Sequence, residues 1–158
     1  MPVGRIVRTG GMRAVRQYYR SLGEEYEKAL NEMFVYDALI FNTDRHFGNF
    51  GFLVDSHTNQ IIAPAPLFDH GNSLLNFAGK DEIQDKESIL KYAKTQLPCV
   101  YDDYVAEAKA VLTHEQRNSL RKLLNFRFKR HSRYNLDSKR LKLLEYVVQQ
   151  RAAELLGE

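Results

Sequence analysis

Two runs decide the reading of this 158-residue chain: F-N-T-D-R-H-F-G-N-F-G-F-L-V at residues 41–54, and A-P-L-F-D-H-G-N at residues 65–72. Asn42 to Asn49 is polar and rich in loop formers, so a helix cannot continue through it. Phe50 to Val54 and Gln60 to Ala63 are short apolar runs separated by D-S-H-T-N, which reads as a β-hairpin. Pro64 and Pro66 then impose an extended path towards Leu67–Asn72. Asp44 and Asn49 thus sit five residues apart in one loop, and Asp69 follows at the end of the hairpin.

Working outward, the sequence before the loop is helical from Ser21. Ser21 reads as an N-cap, with Glu24 three residues on completing a capping box. Tyr26, Leu30, Met33, Phe34, Ala38 and Phe41 share one face at i, i+3, i+4 spacing, which predicts a largely buried helix. Residues 1–20 carry Arg5, Arg8, Arg13, Arg16 and Arg20 with no acid, and Gly4, Gly10 and Gly11 break their periodicity. They read as a basic extended arm, or as the remnant of a preceding element. After the second run the chain is helical again. Asp81–Lys94 and Asp102–Leu112 are expected helices, with Pro98 breaking the chain between them. Thr113 opens another helix through T-H-E-Q. The last starts at Ser138, carries Leu141, Leu144, Val147, Val148, Ala152 and Leu155, and closes at Gly157. The expected fold is mainly α with one small β-hairpin, in a single unit over residues 21–158.

Composition agrees with a soluble globular chain: 44% hydrophobic and 27% charged residues, with a net charge of +3. No run approaches the roughly 18 apolar residues of a membrane span, and no apolar stretch follows the N-terminal arginines as in a secretory signal. Cys99 is the only cysteine, so no internal disulfide can form; a reducing, cytoplasmic setting and a small buried thiol beside Pro98 are expected. A second basic run, from Arg117 through Arg127, Lys129, Arg130 and Arg133 to Lys142, reads as a solvated face, with weak or indirect nucleic-acid contact as the alternative. His57 and His70 lack the cysteines or helical spacing of a zinc site.

The residue types in the two runs suit phosphoryl transfer. A carboxylate must orient an attacking hydroxyl and take its proton, while hard oxygen ligands hold magnesium on the phosphates. Protein-kinase catalytic loops place an Asn five residues after the catalytic Asp, with a second Asp before a Gly further on. Asp44, Asn49 and F-D-H-G at residues 68–71 repeat that order.

Residues 33–76, through N-T-D-R-H-F-G-N-F-G-F and A-P-L-F-D-H-G, resemble the HipA-like kinases, bacterial Ser/Thr kinases of toxin–antitoxin systems. Those proteins have N-x-D-x-H-x-K-N in the loop. The D-R-H-x-x-N order also resembles the phosphoinositide-type kinases. The resemblance implies a kinase-like C-terminal lobe acting with ATP and Mg2+ on a protein substrate, with an antitoxin-like partner. It implies Asp44 as catalytic base, Asn49 and Asp69 as magnesium and nucleotide-phosphate ligands, His46 as a buttress of the loop and Asn42 as the residue that positions its backbone. Gly48 departs from the pattern by standing where the family has a lysine, and Arg45 could replace part of that charge. Only 41 residues precede Asn42, and Gly4–Gly11 is no phosphate-binding fingerprint. A nucleotide-binding N-lobe is therefore expected to be missing from this chain and supplied by a longer protein or a separate polypeptide. Two alternatives stay open: a kinase-like lobe serving as a non-catalytic binding module through its basic surface, and a phosphoinositide-type or small-molecule kinase.

Overall fold

A computed structural model describes residues 1–158 and consists of six α-helices with one two-stranded antiparallel sheet. In chain order these are a short 3-10 turn (Val3–Arg5), α1 (Gly11–Leu22), α2 (Glu24–Ile40), β1 (Phe52–Val54), β2 (Ile61–Pro64), α3 (Lys86–Ala93), α4 (Tyr104–Val111), α5 (His114–Leu123) and α6 (Ser138–Leu156). The mainly helical fold with one hairpin is as expected from the periodicity. No helix is long and apolar enough to cross a membrane.

The central element is α2. Its first turn carries Glu24, Glu25 and Glu27, which complement the positive end of the helix dipole. Its later half is buried through Leu30, Met33, Phe34, Val35, Asp37 and Ala38. It packs against α1, α4 and α6. A main core gathers Val3, Val15, Tyr19, Phe34, Phe52, Tyr104 and Leu155 around it. A second cluster joins Phe41, Leu75, Ala78, Ile89 and Ala93 to Leu143, Leu144 and Val147 of α6. The long helix α6 thus closes both.

The N-terminal reading needs correction. Residues 1–20 are not an extended arm: Val3 is fully buried, and residues 1–4 are bonded along the loop and first strand. Val3 N donates to Phe50 O at 2.9 Å, Gly4 N to Phe47 O at 3.0 Å, and Phe52 N to Met1 O at 2.9 Å. This close approach explains Gly51, where any Cβ would lie 2.2 Å from Met1 O. The arginines of α1 leave room for an apolar stripe, Met12, Val15, Tyr19 and Leu22, at helical spacing. Ser21 is therefore near the C-terminal end of α1 rather than at an N-cap, and its Oγ donates to Tyr18 O at 2.7 Å. Gly23, at φ 125°, makes the sharp turn into α2.

Elsewhere the local signals hold, with small shifts. Thr113 and Gln116 form the expected reciprocal capping box on α5. Asp103 caps α4 by accepting from Val105 N and Ala106 N. Asp137 rather than Ser138 caps α6, and Gly157 ends it at φ 82°. The helix expected from Asp81 begins only at Lys86, because Asp85 takes the capping role by accepting from Ser88 N. Cys99 is exposed rather than buried, since it falls in the turn between α3 and α4.

An integral N-terminus makes a sharp prediction. Val3→Asp should cost about 3 kcal/mol or more, on the order of 10 °C in melting temperature for a chain of this size, because it buries an unpaired charge. A thermal melt followed by circular dichroism measures it; an unchanged melting temperature would restore the arm.

Candidate functional site

The site is built where α2 ends. Phe41 takes a left-handed conformation (φ 56°) and turns the chain into the loop of residues 42–49. The last carbonyls of α2 find partners outside the helix, as a buried helix end requires. Asp37 O accepts from Asn42 N at 3.1 Å, Ile40 O from Leu74 N at 2.6 Å, and Ala38 O from the Arg151 guanidinium at 3.2 Å. Arg151 lies across the Phe41 ring, 3.9 Å from its centroid, and burial pulls its pKa below the usual arginine value.

Arg45 organises the loop. It is fully buried and pairs with Asp37 of α2, itself fully buried. Its Nε donates to Asp37 Oδ2 at 2.9 Å and its Nη2 to Asp37 Oδ1 at 3.0 Å, a bidentate pair. Its Nη1 donates to Asn49 O and to Phe68 O, both at 2.6 Å. Its Nη2 also reaches His70 Nδ1 at 3.1 Å, where a guanidinium can only donate, so this ring nitrogen is the acceptor. All five guanidinium donors are used. Arg45 is therefore not a substitute for the lysine absent at Gly48: it points inward, and its charge is spent on Asp37.

The consequence is geometric. Phe68 and His70 flank Asp69, and Asn49 ends the loop that carries Asp44, so one guanidinium binds both segments. Thr43 adds a second tie, donating through N (3.1 Å) and Oγ1 (3.3 Å) to Asn72 O. Asn42 is fully buried; its Nδ2 donates to Asp37 Oδ1 at 3.1 Å and its Oδ1 accepts from Asp44 N at 3.2 Å. It holds the backbone at Asp44, the place given to it from sequence. Its own carbonyl accepts from the Tyr104 hydroxyl on α4.

Asn49 Nδ2 donates to Asp44 O at 2.9 Å, which leaves its Oδ1 without a partner inside the chain. Asp44 is half-buried and Asp69 exposed, and neither carboxylate is engaged in an ion pair. Asp69 adopts a left-handed conformation (φ 58°), uncommon for a residue with a side chain. His46 stays exposed, and its Nδ1 accepts from Gly48 N at 3.0 Å. A Cβ at residue 48 would lie 2.7 Å from the His46 ring, so glycine and the folded-back histidine go together. The oxygens of Asn49 and Asp69 are hard donors of the type magnesium takes. No three His, Cys, Asp or Glu side chains converge into a metal cage, so an ion held here would depend on phosphate oxygens as well.

Sequence reasoning missed Asp37, Arg45 as a clamp, and Tyr104. A charged residue interrupting the apolar run of α2 was the available signal for Asp37: a buried carboxylate demands a buried cation, and Arg45 is the nearest one that follows in sequence. No family model, curated protein or solved structure matches the chain.

Two outcomes test this geometry. Arg45→Met should cost about 3–5 kcal/mol in urea unfolding, because it strands Asp37, and adding Asp37→Leu should recover a large part of the loss. Tyr19, Tyr101 and Tyr104 have pKa values raised by burial above the ordinary tyrosine value. A folded state that holds these protons more tightly than the unfolded chain is fully stabilised below about pH 10, the ordinary tyrosine value. It loses that contribution as the pH climbs above it. Unfolding free energy should therefore fall at alkaline pH, and fall less steeply in Tyr104→Phe.

Proposed function

We propose that this chain carries the catalytic loop and metal-binding segment of a kinase, and transfers a phosphoryl group from ATP to a hydroxyl, with a protein Ser or Thr as the acceptor. The observation that supports the reading is Arg45: it ties the Asp44–Asn49 loop to the segment bearing Asp69, and these two segments carry an unpaired carboxylate, an unpartnered amide oxygen and a second unpaired carboxylate. Phosphoryl transfer uses such a set, and catalysis there rests on position and charge more than on covalent chemistry.

In this reading Asp44 orients the acceptor hydroxyl and takes its proton. Asn49 Oδ1 and the Asp69 carboxylate would hold magnesium, which when bound offsets charge on the phosphates. Asn42 fixes the backbone at Asp44, and His46 folds the Gly48 turn beneath it. The resemblance to HipA-like kinases adds the protein acceptor, an antitoxin-like partner and a nucleotide-binding lobe supplied from elsewhere, and the lone Cys99 adds a reducing, cytoplasmic setting. Phosphoinositide-type chemistry remains the outcome to be recognised if only lipid or small-molecule hydroxyls accept phosphate. The binding-module reading has less support, since Arg127 and Arg130 of its basic surface are paired with buried Glu145.

Calorimetric titration with ATP tests the proposal. Binding should require Mg2+ and weaken in Asp69→Asn. Asp44→Asn should leave binding and folding intact and lower phosphoryl transfer by about 10²–10⁴-fold, the usual contribution of a positioned base. Undiminished transfer by Asp44→Asn, or ATP binding indifferent both to Mg2+ and to Asp69→Asn, would contradict it.

A further inference from the structure

A cleft of about 900 Å³ opens between α2, along its length from Glu24 to Leu39, and α5. Its floor is apolar: Val35, Leu39, Leu67, Leu120 and Leu123. Its rim is acidic, with Glu24, Glu27, Glu32 and Glu115 against Lys28 alone. Glu27 is bonded by Arg20, and Lys28 stands 3.9 Å from Glu32. Glu24 and Glu115 have no ion-pair partner, so the rim remains negative on balance.

The same chain presents the complement. Between α5 and α6, Tyr134 is 78% exposed and Leu136 is 54% exposed, among the most exposed large apolar side chains in the molecule. They project from a basic segment that is built rather than loose. Its root is fixed to α6 by Glu145, whose carboxylate accepts from Phe128 N and pairs with Arg127 and Arg130. Its tip is a turn held by His131: Nδ1 accepts from Arg133 N (3.0 Å) and Tyr134 N (3.1 Å), and the backbone N donates to Asn135 Oδ1 (2.8 Å). The His131 and Tyr134 rings stack at 5.4 Å. Lys129 and Arg133 on this knob are exposed and outside the ion pairs.

We propose that the knob of residues 129–136 docks in the α2–α5 cleft of a second copy of this chain, Tyr134 and Leu136 on the apolar floor and Lys129 and Arg133 against the glutamate rim. Two preformed surfaces of opposite charge, each apolar at its centre and each unpartnered, meet the usual anatomy of an interface: an aromatic anchor within a polar rim. An ordered turn also loses little conformational freedom on docking. Because knob and cleft are different surfaces, the contact is heterologous, and each copy keeps one of each free for the next.

Sedimentation velocity tests this directly. Wild-type mass should rise with protein concentration and fall back as salt screens the rim. Tyr134→Ser with Leu136→Ser in the knob, or Glu24→Lys with Glu115→Lys in the cleft, should weaken self-association at least about tenfold, as loss of an interface anchor does. All four positions lie on the surface, and circular dichroism verifies that the fold is kept. An equal mixture of the two variants should form a heterodimer that grows no further, since it retains one working knob and one working cleft. A wild type that is monomeric at every concentration would overturn the proposal and leave the cleft to a basic segment of another protein. Association that survives in both variants would overturn it in favour of a different interface.

Discussion

The buried pair of Arg45 and Asp37 is the constraint on which the rest of the site depends. Taking two charges out of water costs several kcal/mol, and the attraction between them offsets that only when every remaining donor and acceptor is satisfied. Here the guanidinium uses all five N–H groups, and Asp37 accepts from Asn42 as well as from Arg45. A lysine could not do this, because its ammonium has three donors and no planar fork. The pair therefore fixes more than a helix to a loop. It sets the distance between two chain segments that are otherwise joined through a short hairpin.

That arrangement divides the polar residues of the loop into two groups. Arg45 and Asn42 turn inward and are consumed by structure. Asp44, the Oδ1 of Asn49 and Asp69 keep unpaired oxygens, and those oxygens are what a cation and a phosphate need. The left-handed backbone at Asp69 belongs to the same pattern, since strain in a non-glycine residue persists where its surroundings over-determine it. On one side Arg45 holds Phe68 O, and on the other it holds His70.

Much of the fold was legible because its signals are local. The stripe of α2, the Thr113 capping box, the closing Gly157 and the hairpin around D-S-H-T-N depend on neighbours a few residues away, and each stands near where it was expected. Helix α1 was obscured by its own arginines and by Gly10 and Gly11, although Met12, Val15, Tyr19 and Leu22 carry the period. The positions of Asp44, Asn49 and Asp69 could be read from spacing. The direction of Arg45 could not, because a loop side chain takes its orientation from distant partners: Asp37 eight residues before it, and Phe68 and His70 more than twenty after. Cys99 failed for a related reason, as nothing local distinguishes a thiol in a turn from one in a core.

The central claim is that Arg45 gathers one oxygen-rich site from two segments, and paramagnetic broadening by Mn2+ in the presence of ATP measures this most directly. In a two-dimensional amide spectrum, the account predicts that residues 44–50 and 68–71 lose intensity together at low Mn2+, and that Arg45→Met abolishes the joint response. Broadening confined to surface acids such as Glu24 and Glu115, or affecting one segment without the other, would contradict it.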